Sequence, residues 1–153
     1  MTMERVEIHI PSDLVFERIA RASADEIGRV INLSEERIAD LKLAVSEAVC
    51  NAIEHGNQRM ASKLVVVVFQ VDQDKLEVQV IDQGAGIDPN VLDFTEQHVE
   101  EHHVEGEGRR GFGMFLIAAL VDQYEVTSSE DGTIMTLRLY RKEKHDDQHA
   151  SGA

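Results

Sequence analysis

Glu47 and Asn51 stand at i and i+4 within Glu47-Ala48-Val49-Cys50-Asn51-Ala52-Ile53-Glu54-His55-Gly56. On a helix, that spacing puts both side chains on one face, one turn apart. At about 100° per residue, Glu47, Asn51, Glu54 and His55 share a stripe, while Ile38, Leu41, Val45, Ala48 and Ala52 share another roughly opposite. One face packs and the other presents acceptors. Carboxylate and amide oxygens are hard donors that suit Mg²⁺ and its water shell. Taken alone, a polar stripe that simply faces water is the reading to prefer. Asn is a mediocre helix former, however, so an interior Asn51 four residues after Glu47 invites a second reading in which a carboxylate and an amide oxygen face one ligand.

Two further segments carry chemistry. Asp82-Gln83-Gly84-Ala85-Gly86 follows an apolar run. It reads either as an ordinary turn ending a strand or as a ligand contact. In the second case Gly84 and Gly86 bring bare backbone against the ligand, and Asp82 accepts a hydrogen bond from an exocyclic amine such as adenine N6. The third segment is Gly106-Glu107-Gly108-Arg109-Arg110-Gly111-Phe112-Gly113-Met114. Alone, it is equally a flexible linker. Opening onto a helix, it offers phosphate oxygens several backbone N–H donors and the positive end of the dipole, with Arg109 or Arg110 adding charge-assisted bonds.

Periodicity supplies the elements that must hold these groups. Val6, Ile8 and Ile10 alternate with Glu7 and His9 before Pro11, the pattern of a strand with one buried face. Leu14, Val15, Ile19, Ala20, Ala24, Ile27 and Val30 recur at helical spacing, with Gly28 weakening the end of that helix. After the Asn32-Leu33 junction, Ser34 is a candidate N-cap, Glu35 and Glu36 suit the helix dipole, and Gly56 is a stop signal, which together predict one long helix. Leu64 to Val71 and Leu76 to Ile81 read as a hairpin turning at Asp72-Gln73-Asp74-Lys75. Residues 88 to 110 carry seven acidic residues (Asp88, Asp93, Glu96, Glu100, Glu101, Glu105 and Glu107) against Arg109 and Arg110, and read as a long mobile loop with room for a helical turn, of the kind that forms lids. Phe112 to Val121 then reads as a helix, and Tyr124 to Ser128 with Thr133 to Tyr140 as strands joined at Asp131-Gly132. Two consecutive helices placed early break strict βαβ alternation. The expected architecture is therefore α+β, a two-layer α/β sandwich whose mixed, mostly antiparallel sheet is covered by helices on one face.

The 153 residues and 42% hydrophobic share fit one domain, here 4–141 with a lid at about 88–110 and a polar tail at 142–153. Fifteen Lys and Arg against 29 Asp and Glu leave a formal charge of −14. That balance argues against a nucleic-acid or anionic-membrane surface, which needs clustered cations, while still allowing a single nucleotide to bind locally. The longest apolar runs, Leu64 to Phe69 and Met114 to Val121, fall well short of the ~18 residues that span a bilayer. With a single cysteine and no leader-like N-terminus, the expected compartment is the cytoplasm.

In this order, Glu47-x-x-x-Asn51, Asp82-x-Gly84-x-Gly86 and Gly111-Phe112-Gly113-Met114 resemble the N, G1 and G2 boxes of the GHKL superfamily, whose ATP site is the Bergerat fold. Leu41-Lys42-Leu43-Ala44-Val45-Ser46-Glu47-Ala48, Asn51-Ala52-Ile53-Glu54-His55-Gly56 and Gly113-Met114-Phe115-Leu116-Ile117 further resemble the anti-sigma factor serine/threonine kinases. The likeness spans roughly residues 4 to 140, and the chain is shorter than gyrase-like, chaperone-like or mismatch-repair ATPases require. A histidine kinase would need an added dimerisation segment carrying its phosphoacceptor His. The resemblance implies that Asn51 ligates Mg²⁺ and that Glu47 is the base beside the γ-phosphate. It implies too that Asp82 reads adenine, that Gly84 and Gly86 line the base pocket, and that Gly111, Phe112, Gly113 and Met114 hold the phosphates beneath the lid. ATP and Mg²⁺ are then the expected ligands. The implied partners are a sigma factor, its small antagonist and a second copy of the chain.

Competing readings follow from the same residues. His98, His102 and His103 include an i, i+4 pair that with nearby carboxylates would suit zinc, although a solvated loop explains them equally. Cys50 adjoins the polar stripe but has no activating partner, as expected of a buried structural thiol. In function, the rivals are a non-enzymatic module that regulates by sequestration, against which an intact Glu47/Asn51 pair counts, and a switch kinase acting on a scaffold.

Overall fold

A computed structural model describes residues 3–84 and 106–141, with side chains from 113 onward in the second stretch. Strand β1 (Glu4–Pro11) leads through a 3-10 turn (Leu14–Phe16) into helix α1 (Glu17–Val30) and then α2 (Glu35–Asn51), which continues as a π turn (Ala52–Gly56). Strands β2 (Leu64–Val71) and β3 (Lys75–Ile81) follow, then helix α3 (Gly106–Leu120) and strands β4 (Gln123–Ser129) and β5 (Gly132–Tyr140).

Among the described residues the five strands form one sheet ordered β1-β2-β3-β5-β4. Every pair is antiparallel, so the expected mixed sheet is purely antiparallel as far as it is described. The reason lies in the return path: β5 inserts between β3 and β4, running against both. The β2–β3 turn forms as expected because the Asp72 carboxylate accepts the N–H groups of Asp74 and Lys75 at 2.7 and 2.8 Å. On the outer sheet face, Arg138 bridges Glu77 and Glu125 at 3.0 Å each, tying β3, β5 and β4 together.

The described helices lie on the inner-face side of the sheet, with α1 packed on α2. Val65, Val67 and Phe69 of β2, Leu76, Val78 and Val80 of β3, and Leu137 and Leu139 of β5 meet Ile38, Leu41, Val45, Ala48 and Val49 of α2 and Ile117 of α3. Fully burying a side chain such as Leu41 or Phe69 stabilises the fold by roughly 1.5–3 kcal/mol. Ser34 caps α2 as expected, its side chain accepting the Arg37 N–H at 3.1 Å, with Glu35 and Glu36 in the first turn. Gly28 has a packing role beyond weakening its helix, because a Cβ there would come 2.8 Å from Ile38 Cγ1 across the α1–α2 contact.

Two expectations are corrected. The inner face of β1 is buried only towards its end: Ile10 is buried, Ile8 partly so, and Val6 is 48% exposed, since β1 is an edge strand that outruns its helical cover. Helix α3 begins at Gly106 and not at Phe112, so part of the segment read as lid and phosphate loop is helical backbone. Its glycines each disfavour helix by about 1 kcal/mol, and it is the packing of Met114 and Ile117 onto the core that anchors the helix. No helix among the described residues is long and apolar enough to cross a membrane.

Candidate functional site

Helix α2 separates its two faces as its periodicity requires. Ile38, Leu41, Ala44, Val45, Ala48 and Val49 are buried, whereas Glu47 and Asn51 are half-buried on the other side. Over them lies α3. A Cβ built on Gly113 would stand 2.9 Å from Glu47 Oε2, 3.6 Å from Asn51 Nδ2 and 3.8 Å from Asn51 Oδ1. The bare backbone of Gly113 therefore packs directly against the Glu47 carboxylate and the Asn51 amide, where a side chain would not fit without displacing Glu47. Asn51 Nδ2 also lies 3.7 Å from the buried Met114 Sδ, a weak contact that orients the amide. Glu47, Asn51, Gly113 and Met114, distant in sequence, are thus neighbours.

These oxygens fit a hard divalent cation that takes its remaining ligands from phosphate and water, the usual habit of Mg²⁺. Among the described residues no three His, Cys, Asp or Glu side chains gather as a metal site. The zinc alternative rests on His98, His102 and His103, which lie outside the described residues.

Asp82 sits just beyond β3, 6% exposed. Its Oδ1 accepts the N–H of Gly84 at 2.9 Å and of Thr133 at 3.1 Å, and its own N–H donates to the Thr133 carbonyl at 3.0 Å. Asp82 Oδ2 faces Gly56, where an added Cβ would fall 2.3 Å away. Gly84 in turn backs onto Gly56, since a Cβ on Gly84 would be 2.0 Å from the Gly56 carbonyl oxygen. The end of α2 and the end of β3 are therefore in backbone contact, and Gly84 is required by that approach. Gly86 lies outside the described residues. Arg109, Arg110, Gly111 and Phe112 belong to the backbone of α3, and their side chains lie outside the description.

The junction uses features that periodicity did not reveal. The helix stops at Gly56 as expected, but its last turn widens into a π turn in which the Asn57 N–H donates to the Ala52 carbonyl at 2.8 Å. π turns inside helices often mark functional sites. Asn57 is fully buried. Its amide nitrogen donates to Ser12 Oγ at 2.8 Å and to the Leu64 carbonyl at 3.2 Å, and its Oδ1 accepts the Gln83 N–H at 2.7 Å. Asn57, Ser12 and Thr133 were missed as site residues because polar residues directly after a glycine or a proline read as turn; only their burial distinguishes them.

Cys50 is half-buried between these features, and its thiol is pushed up to about 11 by burial, with the Glu17, Glu47 and Glu54 carboxylates adding to the shift. It is a protonated thiol at neutral pH, in keeping with a structural role.

Residues 10–139 match the family described as the histidine kinase-like ATPase domain. The chain is 30% identical over 142 residues to the serine-protein kinase RsbW of Oceanobacillus iheyensis, covering 92% of this chain and 90% of that protein. It is also 30% identical over 151 residues to the serine-protein kinase RsbW of Listeria innocua, covering 96% and 94%. Among solved structures, the RsbU and RsbW domains of a Mycobacterium tuberculosis protein match with a TM-score of 0.64 at 23% identity, over 89% of this chain and 32% of that one. The mycobacterial sensor histidine kinase MprB matches with a TM-score of 0.53 at 18% identity, over 91% and 97%. At these identities the two structures speak for the fold alone.

Proposed function

The chain belongs to the histidine kinase-like ATPase domain family and is a protein serine/threonine kinase of its anti-sigma-factor branch, and from that premise we propose how its residues carry out phosphoryl transfer and whom they serve. ATP is the phosphoryl donor in this family. Glu47 accepts the proton of an incoming serine or threonine hydroxyl as that oxygen bonds to the γ-phosphorus and the bond to ADP breaks. Asn51 holds Mg²⁺, which when bound neutralises phosphate charge. Asp82 accepts the adenine amino group, Gly84 and Gly86 border the base, and the α3 segment from Arg109 to Met114 meets the phosphates.

The observation that carries this reading is the close approach of Glu47 and Asn51 to the bare backbone of Gly113. Phosphoryl transfer is mostly positioning and charge neutralisation, so a base, a hard cation ligand and an open backbone at one point are what it needs. A module that acted by sequestration alone would have no use for the base.

The proposed acceptor is a small anti-sigma-factor antagonist, with the unmodified antagonist releasing a sigma factor that this chain otherwise holds. The relatives named serine-protein kinase support the reaction type, and the proposal extends from it to partners and to a homodimer. Calorimetry with ATP and ADP, with and without Mg²⁺, tests the site in the wild type and in Asn51→Ala. Magnesium-dependent binding that Asn51→Ala weakens is the expected result. No binding at millimolar nucleotide would remove the kinase mechanism.

A further inference from the structure

Asp82 can discriminate a base only if its carboxylate is held to within a fraction of an ångström, because its neighbouring atoms leave it little room. Oδ1 is engaged by the Gly84 and Thr133 N–H groups, and Oδ2 points along the Gly56 backbone. What fixes this turn from the other side is the next peptide: the Gln83 N–H donates to Asn57 Oδ1 at 2.7 Å. Asn57 cannot yield, because its amide nitrogen is committed to Ser12 Oγ and to the Leu64 carbonyl, and its own N–H closes the π turn onto Ala52. The Gln83 side chain completes a ring of bonds by accepting the Leu64 N–H at 3.1 Å. One fully buried side chain therefore joins the start of the turn after β1, the start of β2, the end of α2 and the base-reading turn.

We infer that Asn57 is a positioning residue for nucleotide selectivity, which acts through the Gln83 N–H to hold Asp82 where it accepts an adenine amine and disfavours a guanine carbonyl. The inference rests on the proposed reading of Asp82 and adds to it the residue that aims it. Buried polar groups in a fully satisfied network rigidify the atoms they hold, and misplacement of a recognition group by about 1 Å costs up to about a hundredfold. A residue serving only the fold would lower stability without touching the preference between bases.

The test is calorimetric affinity for Mg-ATP and Mg-GTP in the wild type, Asn57→Ala, Asn57→Asp, Ser12→Ala and Asp82→Asn, with thermal midpoints recorded alongside. Loss of one charge-neutral buried bond corresponds to roughly tenfold, so Asn57→Ala is expected to lower the ATP:GTP preference about tenfold. Asn57→Asp retains the acceptor for Gln83 and keeps the preference within about threefold, although it is less stable because its carboxylate faces the Leu64 carbonyl. Ser12→Ala breaks the same network on the side away from Asp82, lowering the midpoint and leaving the preference unchanged. Should Asn57→Ala not fold, Asn57→Ser replaces it, its hydroxyl being too short to reach Gln83. A preference unchanged in the folded Asn57 variant, or lowered equally by Ser12→Ala, overturns the inference while Asp82→Asn still lowers it. If Asp82→Asn also leaves the preference untouched, the reading of Asp82 fails, and the role of Asn57 fails with it.

Discussion

The two ends of the proposed site, one for the base and one for the phosphates, are built in opposite ways. At the base end, Asp82, Asn57 and Thr133 are buried, and backbone N–H groups, carbonyls and a hydroxyl tie them to four segments of chain. At the phosphate end, Glu47 and Asn51 are half-buried side chains on one helix, and the facing wall is a helix whose first turns carry glycines. The contrast separates two demands. Reading a base requires donors and acceptors fixed before the ligand arrives, whereas phosphoryl transfer requires charged oxygens that meet a cation, a triphosphate and an incoming hydroxyl together.

The strongest way to break the comparison is at Glu47. Glu47→Ala is expected to lower γ-phosphate transfer to the acceptor protein by about 10²–10⁴-fold, the usual worth of a general base, while ATP affinity changes little. Transfer at the wild-type rate in a single-turnover assay would remove Glu47 from the chemistry and leave the phosphate end a binding surface only.

A matched pair of glycine substitutions sharpens the same contrast. In Gly84→Ala the new Cβ meets the Gly56 backbone carbonyl, which cannot move aside, so a loss of about 1–3 kcal/mol or more is expected in denaturant unfolding. In Gly113→Ala it meets Glu47 Oε2, the end of a flexible side chain, and Ala gains up to about 1 kcal/mol in helix propensity. Stability should then stay close to wild type while transfer falls. Equal destabilisation by the two would show that the phosphate end is as rigid as the base end.

Asn51→Ala is expected to reduce Mg²⁺-dependent ATP affinity about tenfold and to leave Mg²⁺-independent binding unchanged, the loss of one ligand that phosphate oxygens and water partly replace. The mildest effect concerns Cys50. Its raised pKa keeps the thiol protonated at pH 7, so alkylation should be slow there and quicken with each unit of pH up to about 11, measured on folded protein. Rapid labelling at pH 7 would place it outside the acidic, half-buried setting between α1 and α2.

Much of the phosphate end was legible because helical periodicity is a local property. The i, i+4 relation of Glu47 and Asn51 and the apolar stripe opposite follow from a rise and a turn per residue, and Ser34, Asp72 and the Asp131-Gly132 turn act on backbone groups a few residues away. The helical extent of Gly106 to Gly111 was misread for the complementary reason: propensity opposes helix there, and packing further along α3 sets where it lies. The base end was legible only as Asp82 and its glycines. Asn57 is 26 residues from Gln83 and 45 from Ser12, and nothing local distinguishes it from an exposed turn residue.

By itself, then, the sequence determined which polar and apolar side chains share a face, since this depends on side-chain type and on the short-range geometry of helix and strand. Only the tertiary structure decided that Gly113 lies over Glu47 and Asn51, that Gly84 touches Gly56, that the described sheet is antiparallel in the order β1-β2-β3-β5-β4, and that a π turn carries Asn57 against the Asp82-Gln83 turn. Those are contacts between distant segments. They are selected by the packing of one shared core and by the need to pair every buried polar group, conditions that no stretch of chain can satisfy alone.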